Sequence, residues 1–216
     1  TCALPILIWS PFVFTSIGGQ LLIDGQTVVG AKPIFLAEIA HSAGPLSDSA
    51  RFLTYGMVKI FGTAGMALAF YKTAKPENKQ KLKVTLIPLI VTSFFVGITE
   101  PFEFLFIFTA PVLWLVYSLV DGFFQMLAWL LDVRVCATNG IIDFIVYNIP
   151  AGAHLTRWPV FVALGLAETA AMYFIGKFLI LRFRMRTPGQ EQQDEALSRA
   201  ANASVPAKAS GEQVIL

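Results

Sequence analysis

Long apolar runs alternate with short polar segments along this chain, and that alternation predicts an integral membrane protein. Residues 84–98 contain no charged side chain, and neither do residues 104–120. A third run, residues 159–181, is interrupted only by Glu168 and Lys177. Because about 20 apolar residues suffice for a helix to cross a bilayer, we expect an all-α, multi-span helical bundle with re-entrant hairpins.

The composition agrees with a membrane protein and excludes several other classes. Apolar residues make up 56% of the chain and charged residues 14%, against about 25% charged residues in soluble domains. The net charge of +2 gives no reason to expect a nucleic-acid partner. His41 and His154 lack metal-ligand spacing, and we interpret Cys2 and Cys136 as small apolar packing residues. No metal, cofactor or nucleotide-binding glycine loop is expected.

Two basic clusters predict the topology. Lys72–Lys83 contains five lysines and one acid, Glu77, and residues 182–186 contain three arginines. Cationic loops stay in the cytoplasm, so both clusters are placed inside and an even number of crossings must separate them. Residues 84–98 and 159–181 supply two crossings. The residues between them should therefore form hairpins or a helix pair.

Other segments leave alternatives open. Residues 51–73 fit either a span or a re-entrant hairpin broken at Gly62, and residues 18–49 suggest a loop with short structured pieces. Asp121-Gly122 is interpreted as a turn that divides the long run 104–131 into two shorter elements.

The composition changes again near the C-terminus. We divide the chain into a transmembrane domain, residues 1–186, and a cytoplasmic linker, residues 187–216, which is rich in Ala, Gln, Glu and Ser. The chain starts at Thr1 and enters an apolar run at once. We therefore expect it to be the C-terminal part of a longer membrane protein, incomplete at its N-terminus.

The segment Gly97–Phe104 places two carboxylates and a proline between two apolar runs. A carboxylate at membrane depth usually faces a cavity, a partner or a substrate. Pro101 disfavours helical geometry at the residue before it, and broken backbone at membrane depth is tolerated where it lines a polar cavity or is buried in protein. Such breaks build the midplane sites of transporters. The alternative is a short aqueous loop with both glutamates in water.

A polar binding constellation follows from these segments. Carboxylates bind hydroxyl-rich ligands by accepting hydrogen bonds, and aromatic faces such as Phe102 or Trp114 either stack on a sugar ring or meet lipid. No catalytic arrangement of Ser, His and Asp is recognisable. The candidate ligand-binding residues are Thr99, Glu100, Glu103, Asn139 and Asp143.

Four motifs occur in an order that resembles a known family. They are Lys75-Pro76-Glu77-Asn78, Gly97-Ile98-Thr99-Glu100-Pro101-Phe102-Glu103-Phe104, Gly140-Ile141-Ile142-Asp143-Phe144 and Arg186-Thr187-Pro188-Gly189. The resemblance is to the glucose–maltose–glucoside group of enzyme IIC permeases of the phosphoenolpyruvate-dependent sugar phosphotransferase system. It covers about residues 5–190, and Gly25–Ala31 is most similar to the maltose and α-glucoside branch.

The resemblance implies a sugar translocator in the bacterial inner membrane with a cytoplasmic C-terminus. Its implied partners are the sugar, the lipid bilayer, a second copy in a homodimer, and a phosphorylated enzyme IIB domain. In the family the Thr-Glu-Pro glutamate, which maps to Glu100, is a sugar ligand, and Glu103 matches a second acid. The phosphocysteine belongs to the IIB domain, so neither cysteine here corresponds to it.

One position departs from the family pattern. Members usually carry a His-His pair shortly before the Pro-Phe that matches Pro11-Phe12, and Pro5-Ile6 stand there instead. Two alternative classes of function therefore stay open in addition to a sugar permease. One is a nonfunctional or purely structural membrane fragment, and the other is a proton-coupled secondary transporter that uses Glu100 as a proton relay.

Overall fold

The computed structural model of the chain describes residues 3–23, 25–41 and 44–190, with side chains described from residue 9 onward. Most of this part of the chain is helical. The α-helices are α1 (Ala3–Phe14), α2 (Ala31–His41), α3 (Thr63–Thr73), α4 (Lys79–Val96), α5 (Glu100–Glu103), α6 (Pro111–Leu130), α7 (Ile141–Asp143), α8 (Ile149–Ala151), α9 (Ala153–Thr156) and α10 (Trp158–Phe183). The tighter or wider helical turns are 3-10 turns at Ser16–Gly18, Asp48–Leu53 and Pro76–Asn78, and π-helical turns at Val58–Gly62 and Phe144–Asn148.

A single β-hairpin is the exception to the helical fold within the described residues. Strand β1 (Gln20–Ile23) pairs antiparallel with β2 (Gln26–Val29), with Gln20 opposite Val29. Gly25 supplies the positive φ of +80° that the tight turn needs. The segment interpreted as a loop with short pieces thus contains this hairpin and the helix α2.

Three helical segments of the described chain are long and apolar enough to cross a membrane. They are Asp48–Thr73, Pro111–Leu130 and Trp158–Phe183. The predicted all-α membrane fold is confirmed, and the apolar run 159–181 does form one helix. Gly62 has helical dihedrals of −62° and −42°, so Asp48–Thr73 is continuous there and is not a hairpin.

The predicted turn at Asp121-Gly122 is wrong. Both residues lie inside the continuous helix α6, and Gln125 Nε2 donates to Asp121 Oδ1 at 3.2 Å, one helical turn along. This bond partners the carboxylate without any break in the helix. The excess length of the run is taken up instead by residues 104–110, which precede α6 as irregular turns.

Residues 79–110 form a first hairpin. The predicted membrane crossing by residues 84–98 is corrected, because these residues belong to this hairpin. Helix α4 is not among the candidate spans of the described chain. Ser93, near its C-terminal end, donates to the backbone oxygen of Lys59 at 2.7 Å, and Lys59 lies near the middle of the segment Asp48–Thr73. The return arm packs beside α3, where the Phe106 and Phe70 ring centroids are 5.2 Å apart. This hairpin therefore enters from the Thr73 end and turns at mid-depth.

The second hairpin, residues 131–157, enters from the opposite end. Its two arms are joined near the base by Arg134 N–H donating to Thr156 O at 3.0 Å. Further in, Asn148 accepts from Cys136 N at 2.9 Å and donates to Cys136 O at 2.8 Å. Counting both hairpins as re-entrant, α6 and α10 supply the two crossings between the basic clusters.

The two basic clusters lie at the same end of the bundle. The backbone oxygen of Gly189 accepts from Lys75 N at 3.2 Å and from Asn78 Nδ2 at 3.1 Å. Gln190 Nε2 donates to Thr73 O at 3.0 Å. The segment that follows α10 is therefore tied to the lysine-rich loop, as the even number of crossings requires.

An ion-pair network joins the helix ends at the opposite side of the bundle. Asp132 Oδ1 lies 2.6 Å from Arg51 Nη2 and 3.0 Å from Arg134 Nε, and Arg134 also reaches Asp48 at 3.2 Å. Burial is the largest single influence on Asp132 and acts to raise its pKa, but the hydrogen bond from Arg134 and the charges of Arg134, Arg51 and Arg157 together outweigh it and hold that pKa below its usual value.

The arrangement of the two ends predicts the outcome of a labelling experiment. Single cysteines introduced at Gln80 and Arg184 should react with a membrane-impermeant thiol reagent from the same side, because both positions lie at the basic end. A cysteine at Pro45, near the ion-pair network, should react from the other side. Opposite labelling of Gln80 and Arg184 would contradict the two-crossing topology.

The ion-pair network predicts a pH-dependent stability effect. The pKa of Asp132 is lower in the folded chain, so its stabilisation is present at neutral pH and is lost as pH falls through the folded value. Asp132→Asn should lower the free energy of unfolding at pH 7 by less than about 1 kcal/mol, because the group is largely solvated. Thermal unfolding in detergent measures it, with exposed Glu77→Gln as the control. A cost that persists in strong acid would contradict the assignment.

Candidate functional site

The tips of the two hairpins touch through glycines. A Cβ on Gly97 would lie 2.8 Å from the Asn139 carbonyl carbon and from the Gly140 nitrogen, and a Cβ on Gly140 would lie 2.5 Å from Phe94 O. Both glycines have positive φ, +76° and +81°. Side chains at either position would force the backbones apart and strain them. Two motifs that are far apart in sequence thus meet at mid-depth.

The first tip presents Glu100 directly after a helix break. Gly97 ends α4 in the left-handed conformation with its N–H bonded to Ser93 O at 2.9 Å. The buried Thr99 accepts from the backbone N–H groups of Phe102 and Glu103 at 3.0 Å each, which starts the short helix α5. Pro101 sits in the first turn of α5, where no backbone donor is required. The interruption predicted beside the acid is therefore present.

The second tip is organised around Asp143. Its Oδ2 accepts from Thr138 Oγ1 at 2.6 Å, from Asn139 N at 3.1 Å and from Asn139 Nδ2 at 3.0 Å. Lys32 Nζ lies 3.7 Å from the same oxygen and donates to Thr138 Oγ1 at 3.2 Å. Asp143 is buried, whereas Asn139 is exposed. The carboxylate thus fixes the loop that carries Asn139.

Lys59 lies between the two tips. Its ammonium donates to Thr138 O at 2.7 Å and stands 5.0 Å from the ring centroid of Tyr55. Glu100 and Asp143 both act on this cation electrostatically. The tip that carries Glu100 and the tip that carries Asn139 and Asp143 therefore meet close to this cation.

Glu103 and the aromatic candidates lie elsewhere. Glu103 Oε2 accepts from Trp114 Nε1 at 3.1 Å, which directs this acid toward α6 and away from the second tip. Phe102 has no exposed surface and packs against Phe70 at a centroid distance of 5.7 Å. Phe102 therefore cannot stack on a ligand in this conformation, and Trp114 is engaged as the donor to Glu103.

Four residues of the site escaped the sequence reasoning: Lys32, Tyr55, Lys59 and Thr138. Lys59 did carry a signal, because a cation inside an apolar stretch is as costly as the acid that drew attention to Glu100. Lys32, Tyr55 and Thr138 carried no such sequence signal. Thr138, for example, acts through its backbone oxygen and through a bond to Asp143 that depends on the geometry of the turn.

Another buried acid, Glu168, lies in the middle of α10. It has no exposed surface, and neither carboxylate oxygen has a hydrogen-bond partner among the described residues. A Cβ on Gly62 would lie 2.5 Å from its Oε1, so the carboxyl group packs directly on the π-helical turn Val58–Gly62. Glu168 is separate from the two hairpin tips and belongs to the helix interface.

The remaining candidate chemistry is structural. Cys136 is fully buried and is a free cysteine, which agrees with its interpretation as a small packing residue. Cys2 lies outside the described residues, as do the side chains of Pro5 and Ile6. Within the described chain, no group of three or more His, Cys, Asp or Glu side chains could hold a metal ion.

Comparison with known proteins identifies the family. The family model "Phosphotransferase system, EIIC" matches residues 7–122. The chain is 38% identical over 200 residues to the maltose-specific EIICB component of Escherichia coli (strain K12), a match that covers 90% of this chain and 38% of that protein.

Two further relatives have related names. The glucose-specific EIICBA component of Staphylococcus carnosus (strain TM300) is 35% identical over 92% of this chain and 29% of its own length. The maltose-specific EIICB component of Bacillus subtilis (strain 168) is 35% identical over 87% of this chain and 36% of its own length. The chain thus spans well under half of each relative. Since the family model covers more than half of this sequence, the chain belongs to the phosphotransferase-system EIIC family.

Proposed function

We propose that this chain binds a glucose- or α-glucoside-type sugar at the two hairpin tips and translocates it for phosphorylation by a IIB domain. The observation that carries the proposal is the meeting of the Glu100 tip and the Asn139–Asp143 tip beside Lys59, near the middle of a candidate span. The names of the relatives, maltose- and glucose-specific components, support the sugar class.

The chemistry of this centre suits a polyhydroxylated ligand. A carboxylate accepts hydrogen bonds from sugar hydroxyls, and an ammonium or an amide NH₂ donates to sugar oxygens. Bonds that involve an ionised group are stronger than neutral ones. Glu100 is the primary sugar ligand in this proposal, because within the described residues its carboxylate accepts no side-chain hydrogen bond, whereas the carboxylates of Glu103 and Asp143 do.

The other predicted residues act around Glu100. Asn139 is exposed at the second tip and offers its amide to the sugar, while Asp143 holds the loop that presents it. Thr99 shapes the first tip through its backbone oxygen. Glu103 supports the return arm through Trp114. No residue of this chain is assigned to the group transfer, which belongs to the phosphocysteine of the IIB domain.

The partners and placement follow from the same proposal. The relatives are named EIICB and EIICBA components, which supports a IIB domain as the partner. Residues 187–216 are proposed as the cytoplasmic linker toward it, although residues 191–216 lie outside the described part of the chain. An inner-membrane location with a cytoplasmic C-terminus, lipid contact and a homodimer complete the proposal.

One test of the proposed function concerns the charge of Glu100. Glu100→Gln keeps the shape of the side chain and removes its charge. A charged hydrogen bond contributes about 1.5–3 kcal/mol and a neutral one about 0.5–1.5 kcal/mol, so sugar affinity should fall by roughly tenfold or more. Isothermal titration with maltose and glucose, on full-length protein of matched yield, measures the effect.

Two other acids serve as matched controls. Glu103→Gln should weaken binding less, because that acid bonds Trp114. Glu168→Gln should leave binding nearly unchanged, because that acid faces the helix interface. Unchanged affinity in Glu100→Gln would refute the proposed ligand. Sugar uptake that is coupled to protons and yields no sugar phosphate would instead support a secondary transporter, and absence of binding in the wild type would support a structural fragment.

Another test of the proposed function concerns the contact between the tips. Gly140→Ala should both destabilise the fold and weaken sugar binding, because the new Cβ would lie 2.5 Å from Phe94 O at a positive φ. Strained backbone of this kind costs on the order of 1–3 kcal/mol. Gly122→Ala is the control, since a Cβ there meets nothing within 4 Å and the position lies in α6. Equal thermal unfolding temperatures for both variants would contradict the tip contact.

A further inference from the structure

Lys59 is bonded to both hairpins at once. Its backbone oxygen accepts from Ser93 Oγ at 2.7 Å, and Ser93 lies in the helix that leads to the Glu100 tip. Its ammonium donates to Thr138 O at 2.7 Å, in the tip that carries Asn139 and Asp143. One residue of the first candidate span therefore contacts the two re-entrant segments on either side of their meeting point.

The backbone around Lys59 is unusual and is held in place by α10. Lys59 lies in the π-helical turn Val58–Gly62, and turns of this kind are frequent at functional sites. Thr169 Oγ1 donates to Phe61 O at 3.1 Å. A Cβ on Gly165 would lie 2.2 Å from the Phe61 ring, so this glycine makes the room that the ring occupies. Helix α10 thus also holds this turn in place.

Acidic side chains from three elements act on this partly buried cation. Glu100 from the first hairpin, Asp143 from the second and Asp121 from α6 all act electrostatically on Lys59. A lysine in the middle of an apolar segment is costly in a membrane unless acids or a polar cavity receive it. A lysine that served only solubility would extend toward the interface, as long cationic side chains near helix ends do.

We infer that Lys59 is a positioning residue that holds the two hairpin tips at the spacing in which Glu100 binds the sugar. The inference rests on the proposed function, because it assigns Lys59 a part in the same binding event. Removing the ammonium frees the second tip from the span and leaves Glu100 and Asp143 without the cation between them. Removing the Ser93 hydroxyl frees the first tip alone.

Methionine and arginine substitutions in the full-length protein test the inference. Lys59→Met keeps length and apolar stem but removes the charge, and maltose or glucose affinity should fall at least tenfold. Lys59→Arg restores a cation and donors and should recover most of that loss. Lys177→Met is the matched control, because Lys177 lies in α10 over the Tyr173 ring, 5.7 Å from its centroid, and should change affinity less than twofold.

Local hydrogen exchange separates positioning from general destabilisation. In Lys59→Met, backbone amides of residues 97–104 and 138–143 should exchange faster, while those of α10 keep their protection. The loss of affinity in the double variant Lys59→Met/Glu100→Gln should be smaller than the product of the two single-variant losses, because both substitutions disrupt one centre. Uniformly faster exchange, or a full product of the two losses, would overturn the inference.

A milder variant keeps the test decisive if Lys59→Met does not fold. Ser93→Ala removes the hydroxyl that donates to Lys59 O at 2.7 Å and also lies 3.1 Å from Thr63 Oγ1. A neutral hydrogen bond is worth about 0.5–1.5 kcal/mol, so affinity should fall about twofold to tenfold, with faster exchange limited to residues 97–104. If Lys59→Met does not fold and both Ser93→Ala and Lys59→Arg keep the affinity of the wild type, the inference is overturned. If Lys59→Met binds normally while Glu100→Gln does not, the positioning role fails and the proposed function stands. If Glu100→Gln binds normally, the proposed function itself fails.

Discussion

The close approach of Gly97 and Gly140 is the constraint on which the site depends. Non-helical backbone at membrane depth must be buried in protein or line a polar cavity, and each hairpin tip supplies that environment for the other. The contact leaves no room for a Cβ on either glycine. The hairpins enter from opposite ends, so their lengths and the depth of the meeting point are coupled. A shift of either tip would break the contact between Gly97 and the Asn139–Gly140 backbone.

The charges follow from this geometry. Bringing the two acidic tips together places the carboxylates of Glu100 and Asp143 in one part of the protein, and like charges repel each other more strongly where water screens them less. A cation from a third element relieves that repulsion, and the π-helical turn delivers Lys59 to the required position. Lys32 plays a similar part on the outer side of Asp143. The polar residues are thus distributed over four elements that are distant in sequence, and no single motif contains the site.

The sequence predicted the elements that are decided by the composition of a single segment. It missed those whose ends are fixed by contacts with distant segments of the chain. The apolar run 159–181 identified α10 because its length alone decides that it spans. Residues 84–98 have similar apolarity, but their end is fixed by Ser93 against Lys59, a contact that no local pattern encodes. Asp121-Gly122 resembled a turn because its dipeptide is typical of turns, whereas Gln125 satisfies the carboxylate within the helix. Lys59 was missed because only the acids in apolar surroundings were weighed.

Glu100 and Glu168 differ in the sequence signal that accompanies them, and only Glu100 is proposed as a sugar ligand. Both are carboxylates within largely apolar sequence, and the cost of burying either is similar in kind. Glu168 lies in an unbroken helix and packs on Gly62, where its carboxyl group fills space at a helix interface. Glu100 follows a left-handed glycine and precedes Pro101, so its backbone departs from the helix and carries the side chain to a second broken segment. The proposal that Glu100 is a ligand therefore rests on an acid beside a backbone break, rather than on an intramembrane acid as such.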